Sequence, residues 1–134
     1  MLIPPERFRF QNAILFLSVL TFLATVPHAV EDFHYGVPQK FGVSASVAGL
    51  LLGIGYAVQV VGIIAVSRDK RWGLAVTLLV GLGWLLGALF DHLVDIFSSQ
   101  PYREGLFSRV LVLLIIGLSA GVTLLSGLAL KQRV

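Results

Sequence analysis

Residues 13–34 read AILFLSVLTFLATVPHAVEDFH, and the fold turns on this stretch. From Ala13 to Val26 no side chain is charged. His28, Glu31, Asp32 and His34 then arrive within one short segment. At a rise of about 1.5 Å per residue, an apolar helix of this length crosses most of a ~30 Å hydrocarbon core. The stretch therefore reads as a membrane helix whose polar end meets water. Three more apolar runs of similar length follow, and the sequence predicts helices over 13–33, 44–66, 72–97 and 106–130. The fold class is an all-α integral membrane four-helix bundle, one transmembrane domain over residues 1–134.

Composition supports lipid as the solvent. The chain is 57% hydrophobic and 13% charged, with a mean hydropathy of +0.91. Soluble domains carry roughly a quarter charged residues. There is no cysteine, which excludes disulfides, thiolate metal ligands and a cysteine nucleophile. The net charge of +3 does not indicate a nucleic-acid partner, because the basic residues sit at helix ends and not on one face.

Local signals punctuate the helices. Pro27 lies inside the first helix and removes a backbone donor, so a kink is expected there. Arg7 and Arg9 before the first run resemble a signal peptide, but no small-x-small cleavage site follows, so the run is read as a retained helix. Residues 34–43 hold Gly36, Pro38 and Gly42 and read as a loop. Ser44 or Ser46 is a natural N-cap for the second helix. Ser67-Arg68-Asp69-Lys70-Arg71 is a tight charged turn, and residues 98–105 form a second polar loop.

Topology follows from the basic residues. Arg7, Arg9, Arg68, Lys70, Arg71, Lys131 and Arg133 fall on one side, against Lys40, Arg103 and Arg109 on the other. The balance places both termini in the cytoplasm, and the expected membrane is a prokaryotic cytoplasmic membrane. It also puts all three histidines and most of the acids on the outer side. A shift of the chain by 64 residues lays His28-x-Val-Glu31-x-Phe33 over His92-x-Val-Asp95-x-Phe97, Ser44 over Ser108 and Gly53 over Gly117. This internal repeat resembles a tandem duplication of a two-helix hairpin.

The two clusters nominate a site. A histidine and an acid three residues on share a helical face, and two such pairs on different helices of a bundle can converge. The expected metal ligands are His28, Glu31, His92 and Asp95, holding a divalent iron, zinc or manganese ion. Asp32, His34, Asp91 and Arg109 are alternate ligands or supporting partners. Known bundle sites use Glu-x-x-His, whereas this chain has the reverse order, so the resemblance is one of ligand chemistry only. Such a site would work with or without catalysis on a lipid-soluble substrate. A haem held between His28 and His92, with Gly83 and Gly87 leaving room, is a weaker alternative.

A second class of reading makes the chain a non-catalytic accessory subunit or assembly factor of a larger membrane complex. Arg109 would then pair with Asp91 or Asp95 in a structural network. Gly49 and Gly53, or Gly117 and Gly121, would dock a membrane-protein partner or a homodimer. The stripe Gly83, Gly87, Asp91, Asp95 is expected to be packed. The inner half of the chain offers only neutral polar groups, among them Ser18, Thr21, Tyr56, Gln59 and Thr77, so no charged relay crosses the membrane.

Overall fold

The computed structural model of the chain describes residues 5–132, with side chains from Phe10 onward. Arg133 and the side chains of Arg7 and Arg9, counted in the topology balance, lie outside the described part. The elements are α1 (Pro5–His34), a short α2 (Val37–Lys40), α3 (Ala45–Ser67), α4 (Arg71–Ile96) and α5 (Leu106–Gln132). Four helices are long and apolar enough to cross a membrane: Phe10–His34 within α1, then α3, α4 and α5. The four-helix all-α membrane fold is the one expected from sequence.

Neighbouring pairs are α1–α3, α3–α4, α4–α5 and α5–α1. The helices thus go round the bundle in chain order, and α1 and α4 lie diagonally opposite. Each of these two helices carries one buried histidine, His28 and His92. α3 is the least enclosed: 11% of its apolar window is buried, against 33%, 28% and 33% for the others.

α1 runs without interruption through Pro27 to His34. The expected loop after it contains the single turn α2, entered through Gly36 at φ 66°, a left-handed conformation that glycine takes at no steric cost. Ser44 is the cap of α3, its Oγ accepting from the Val47 N–H at 3.3 Å.

The core is built from small side chains and hydroxyls. Ser18, Thr21, Thr25, Thr77, Ser108, Ser119 and Ser126 are all buried, with Ile14, Val66, Leu74, Val112 and Ile115. In hydrocarbon a hydroxyl needs a partner, and several donate back along their own helix: Thr21 to the Leu17 carbonyl at 2.8 Å, Ser119 to that of Ile115 at 2.5 Å. Others tie helices together. Gln59 on α3 donates to the Ser18 carbonyl on α1 at 3.1 Å and accepts from Trp84 Nε1 on α4 at 3.0 Å. Thr77 and Ser126 link α4 to α5 at 3.1 Å.

The packed stripe of α4 corrects one expectation. Leu74, Thr77, Gly81, Ala88, His92 and Ile96 are buried, while Gly83 and Gly87 are exposed and a Cβ on either would meet nothing within 4 Å. Gly81, not Gly83, permits close approach: a Cβ there would lie 2.9 Å from Thr123 Oγ1 on α5. Gly87, Asp91 and Asp95 each stand one residue before the buried Ala88, His92 and Ile96, a turn of about 100°, so the expected stripe lies beside the packed face and not on it. Gly53 and Gly117, read from sequence as docking a partner, face open space within this chain.

Candidate metal centre

The site forms where α1 and α4 meet across the bundle diagonal, at the end of the bundle that carries the α4–α5 loop. His28 sits on the stripe that buries Thr25, Thr21 and Ser18 about one, two and three turns earlier. His92 sits on the buried stripe of α4 and is 1% exposed. Their Nε2 atoms are 3.0 Å apart, with the rings edge to face at 4.7 Å between centroids.

Each imidazole turns its other nitrogen outward to a polar group. His92 Nδ1 is 2.6 Å from the Tyr102 hydroxyl. His28 Nδ1 is 3.9 Å from Glu31 Oε2, and neither of those two atoms has a hydrogen-bond partner. Glu31 is held through its other oxygen, which accepts from Ser108 of α5. Two carboxylates approach the Nε2 pair. Asp32 Oδ2 is 3.4 Å from His28 Nε2, and Asp91 Oδ2 is 3.0 Å from His92 Nε2. One ligand atom from each of His28, Asp32 and His92 falls within 4.8 Å of the others, the spacing of a metal-binding group.

The loop between α4 and α5 closes the centre at this end of the bundle. Arg103, in a left-handed backbone conformation at φ 26°, donates to Asp32 and lies 3.7 Å from Asp91 Oδ2. Its guanidinium is stacked between the rings of Tyr102 and Tyr35, 5.5 and 5.8 Å from their centroids. Burial alone would lower the pKa of Arg103, but the hydrogen bond and charge of Asp32 outweigh it and hold the guanidinium firmly protonated. Burial pushes the Tyr102 phenol up to about 12, so it keeps its proton throughout the physiological range. Tyr35 donates to Glu104 at 2.8 Å, and that bond raises its pKa.

The structure therefore sorts the expected residues. His28 and His92 come together, with Asp32 and Asp91 beside them and Glu31 behind His28. Asp95 is exposed, lines a polar groove with Tyr35, Lys40 and Arg103, and has no carboxylate oxygen within 4.0 Å of either imidazole. His34 is exposed and packs edge-on against Tyr35 at 5.0 Å. Arg109, the expected partner of Asp91 or Asp95, instead reaches the Ser98 and Gln100 carbonyls at 3.5 Å. Arg103 takes the ion-pairing role. The positions equated by the 64-residue shift have different surroundings: Ser44 caps a helix, while Ser108 is buried on Glu31.

Sequence reasoning missed Tyr102, Arg103 and Ser108, none of which stands in a periodic pattern next to a histidine. Two strings match serine-nucleophile patterns, Ser67-x-x-Lys70 and Gly117-x-Ser119-x-Gly121. Neither has the context those motifs need. Ser67 donates to the Ile64 carbonyl at the turn between α3 and α4, and Ser119 is bonded within mid-helix.

Two cavities flank the centre. One of about 330 Å³, lined by His28, Asp32, Leu51, Leu52 and Trp84 among others, is almost wholly apolar and lies between α1, α2 and α3. The polar groove around Lys40 and Asp95 is about 210 Å³. Deeper in the bundle, the space among Ser18, Gln59, Thr77 and Trp84 is only about 10 Å³, room for no more than a single water.

No protein-family model, no curated protein and no solved structure matches the chain.

Proposed function

We propose that the chain is a membrane-embedded metal-binding protein. His28 and His92 would supply Nε2 and Asp32 a carboxylate oxygen, with Asp91 as a further donor. The observation that carries this reading is the 3.0 Å separation of the two Nε2 atoms. An Asp32 carboxylate oxygen converges on the same pair, the three donor atoms lying within 4.8 Å of one another, a donor set that would hold a first-row ion. The surroundings fit as well. A ligating imidazole has its remote nitrogen fixed by an oxygen group; the Tyr102 hydroxyl does this for His92 at 2.6 Å, and Glu31 Oε2 stands 3.9 Å from His28 Nδ1.

Two imidazoles with one or two carboxylates suit iron, manganese or zinc. Such an ion supplies Lewis acidity, or redox chemistry if iron or manganese. The protein's own residues orient the imidazoles, offset charge through Arg103 and keep the inner side dry. Axial haem ligation finds no support, because the ligating nitrogens would stand on opposite faces of the ring, whereas these two are in contact.

A second reading has its own observation. Arg103 already engages Asp32 and Asp91, so the cluster could be a structural network in an accessory subunit, with a neutral His28–His92 hydrogen bond at its centre.

Elemental analysis separates the two. Protein stripped with a chelator and reloaded should carry about one metal ion per chain, and the double variant His28→Ala/His92→Ala should carry none. Wild-type protein that stays metal-free after reloading with iron, manganese and zinc in turn would sink the metal reading.

A further inference from the structure

We infer that the apolar cavity beside His28 and Asp32 is a lateral entry for a long-chain alcohol, its hydroxyl at the His28–Asp32 end and its chain along α3. This inference rests on the metal reading and names a substrate class for it. A second cavity, of about 380 Å³, continues the first along α3 and α4; the two share Leu51, Leu52 and Trp84. Together they run from the level of Ala48 to that of Val58. Ten residues of helix cover about 15 Å, or half a ~30 Å hydrocarbon core. The length matches one leaflet.

The groove is kept open by glycine. A Cβ on Gly55 or Gly83, which line the second cavity, would meet nothing within 4 Å. These glycines are therefore not needed for helix contact, and their effect is to leave a channel a chain can fill. The wall is exposed α3, with Leu51 60% and Ile54 52% accessible, so a chain enters sideways from lipid.

The head end selects the polar group. Its titratable lining groups are His28 and Asp32, and His28 is 6% exposed. The nearby cation, Arg103, is engaged by Asp32 and Asp91. A phosphate would meet a carboxylate with no free cation to offset it. A neutral hydroxyl can donate to Asp32 and offer its oxygen to an ion held by the Nε2 pair.

The test uses a saturated long-chain alcohol with a diazirine at its methyl end, photolysed with metal-loaded protein in detergent. A phospholipid with the same diazirine serves as the second arm. The expected result is saturable labelling around Gly55, Val58 and Val80, competed by unlabelled alcohol and not by phospholipid. Gly83→Leu, whose Cβ meets nothing within 4 Å and whose side chain would occupy the groove, should cut it roughly tenfold. Labelling scattered over the exposed helix faces, or equal labelling by the phospholipid, overturns the inference. Elemental analysis of the same samples separates the two claims. Metal without saturable labelling defeats the groove and leaves the metal site standing. Labelling without metal defeats the proposed function, and this inference with it.

Discussion

His28 and His92 are 64 residues apart in the chain, on diagonally opposed helices, and their Nε2 atoms touch at 3.0 Å. Two buried imidazoles in that position are stable either as a neutral hydrogen-bonded pair or as two ligands of one cation, and the choice has a thermodynamic consequence. A ligand that binds only the folded state stabilises it by about 2.7 kcal/mol when present at about 100 times its Kd. Metal added to chelator-treated protein should therefore raise Tm, and the same addition to His28→Ala should not. Equal shifts in both proteins would assign the effect to nonspecific surface binding.

Tyr102 should matter to the metal and little to the fold. Its hydroxyl fixes His92 Nδ1 at 2.6 Å. Removing a group that orients a ligating histidine typically costs about 10–100-fold in metal affinity. Tyr102→Phe keeps the buried ring, so competition against a chromophoric chelator should show that loss at nearly unchanged Tm. Unchanged affinity would mean that Tyr102 does not orient a ligand.

Arg103 distinguishes the metal centre from a structural network. Arg103→Met leaves Asp32 and Asp91 facing each other without a counter-charge, and breaking a buried ion pair costs about 3 kcal/mol at the lower end of the usual range. A metal ion would take over the neutralisation. The variant is therefore expected to unfold earlier than wild type when stripped, and to recover most of the difference on reloading. Failure of metal to rescue it would favour the network.

How much of this was legible in the sequence depends on the residue. Four spans follow from apolar run length, which is insensitive to rotation about a helix axis. The meeting of His28 and His92 was legible from their equal depth on the same side. Which acid joins them was not. Residues at i+3 and i+4 from His28 sit on the same face, about 100° apart, and only the rotation of α1 in the bundle decides between Glu31 and Asp32. Tyr102 and Arg103 lie in a loop of irregular backbone, where spacing carries no directional information. The glycines show the limit most plainly. Gly81 and Gly83 look alike in sequence, yet one lets helices touch and the other lines a groove.

Tyr35, just beyond α1, should give an alkaline titration with a defined sign. Tyr35 donates to Glu104, and this raises its pKa in the folded state. The folded state then favours the protonated phenol. The contact is complete below the ordinary tyrosine value of about 10 and is lost as pH rises through the higher folded value. An ultraviolet difference titration should show Tyr35 ionising late, and Glu104→Gln should bring that ionisation earlier. No change in the variant would show that the hydrogen bond does not persist in solution.

Paired glycine substitutions test the helix packing independently of any ligand. At Gly73 a Cβ would lie 2.6 Å from Ala65 Cβ and 2.7 Å from the Val66 nitrogen, where α4 begins against the end of α3. Backbone atoms cannot rotate away as a long side chain can, so Gly73→Ala must separate the two helices. Overpacking of this kind costs about 1–3 kcal/mol. At Gly87 the added methyl meets nothing within 4 Å, and Gly87→Ala trades the flexibility of glycine for the better helix former, worth up to about 1 kcal/mol. Thermal unfolding in detergent should therefore move in opposite directions for the two variants. The same direction for both would mean that the α3–α4 contact is looser than the structure has it, or that Gly87 faces a neighbour in the membrane.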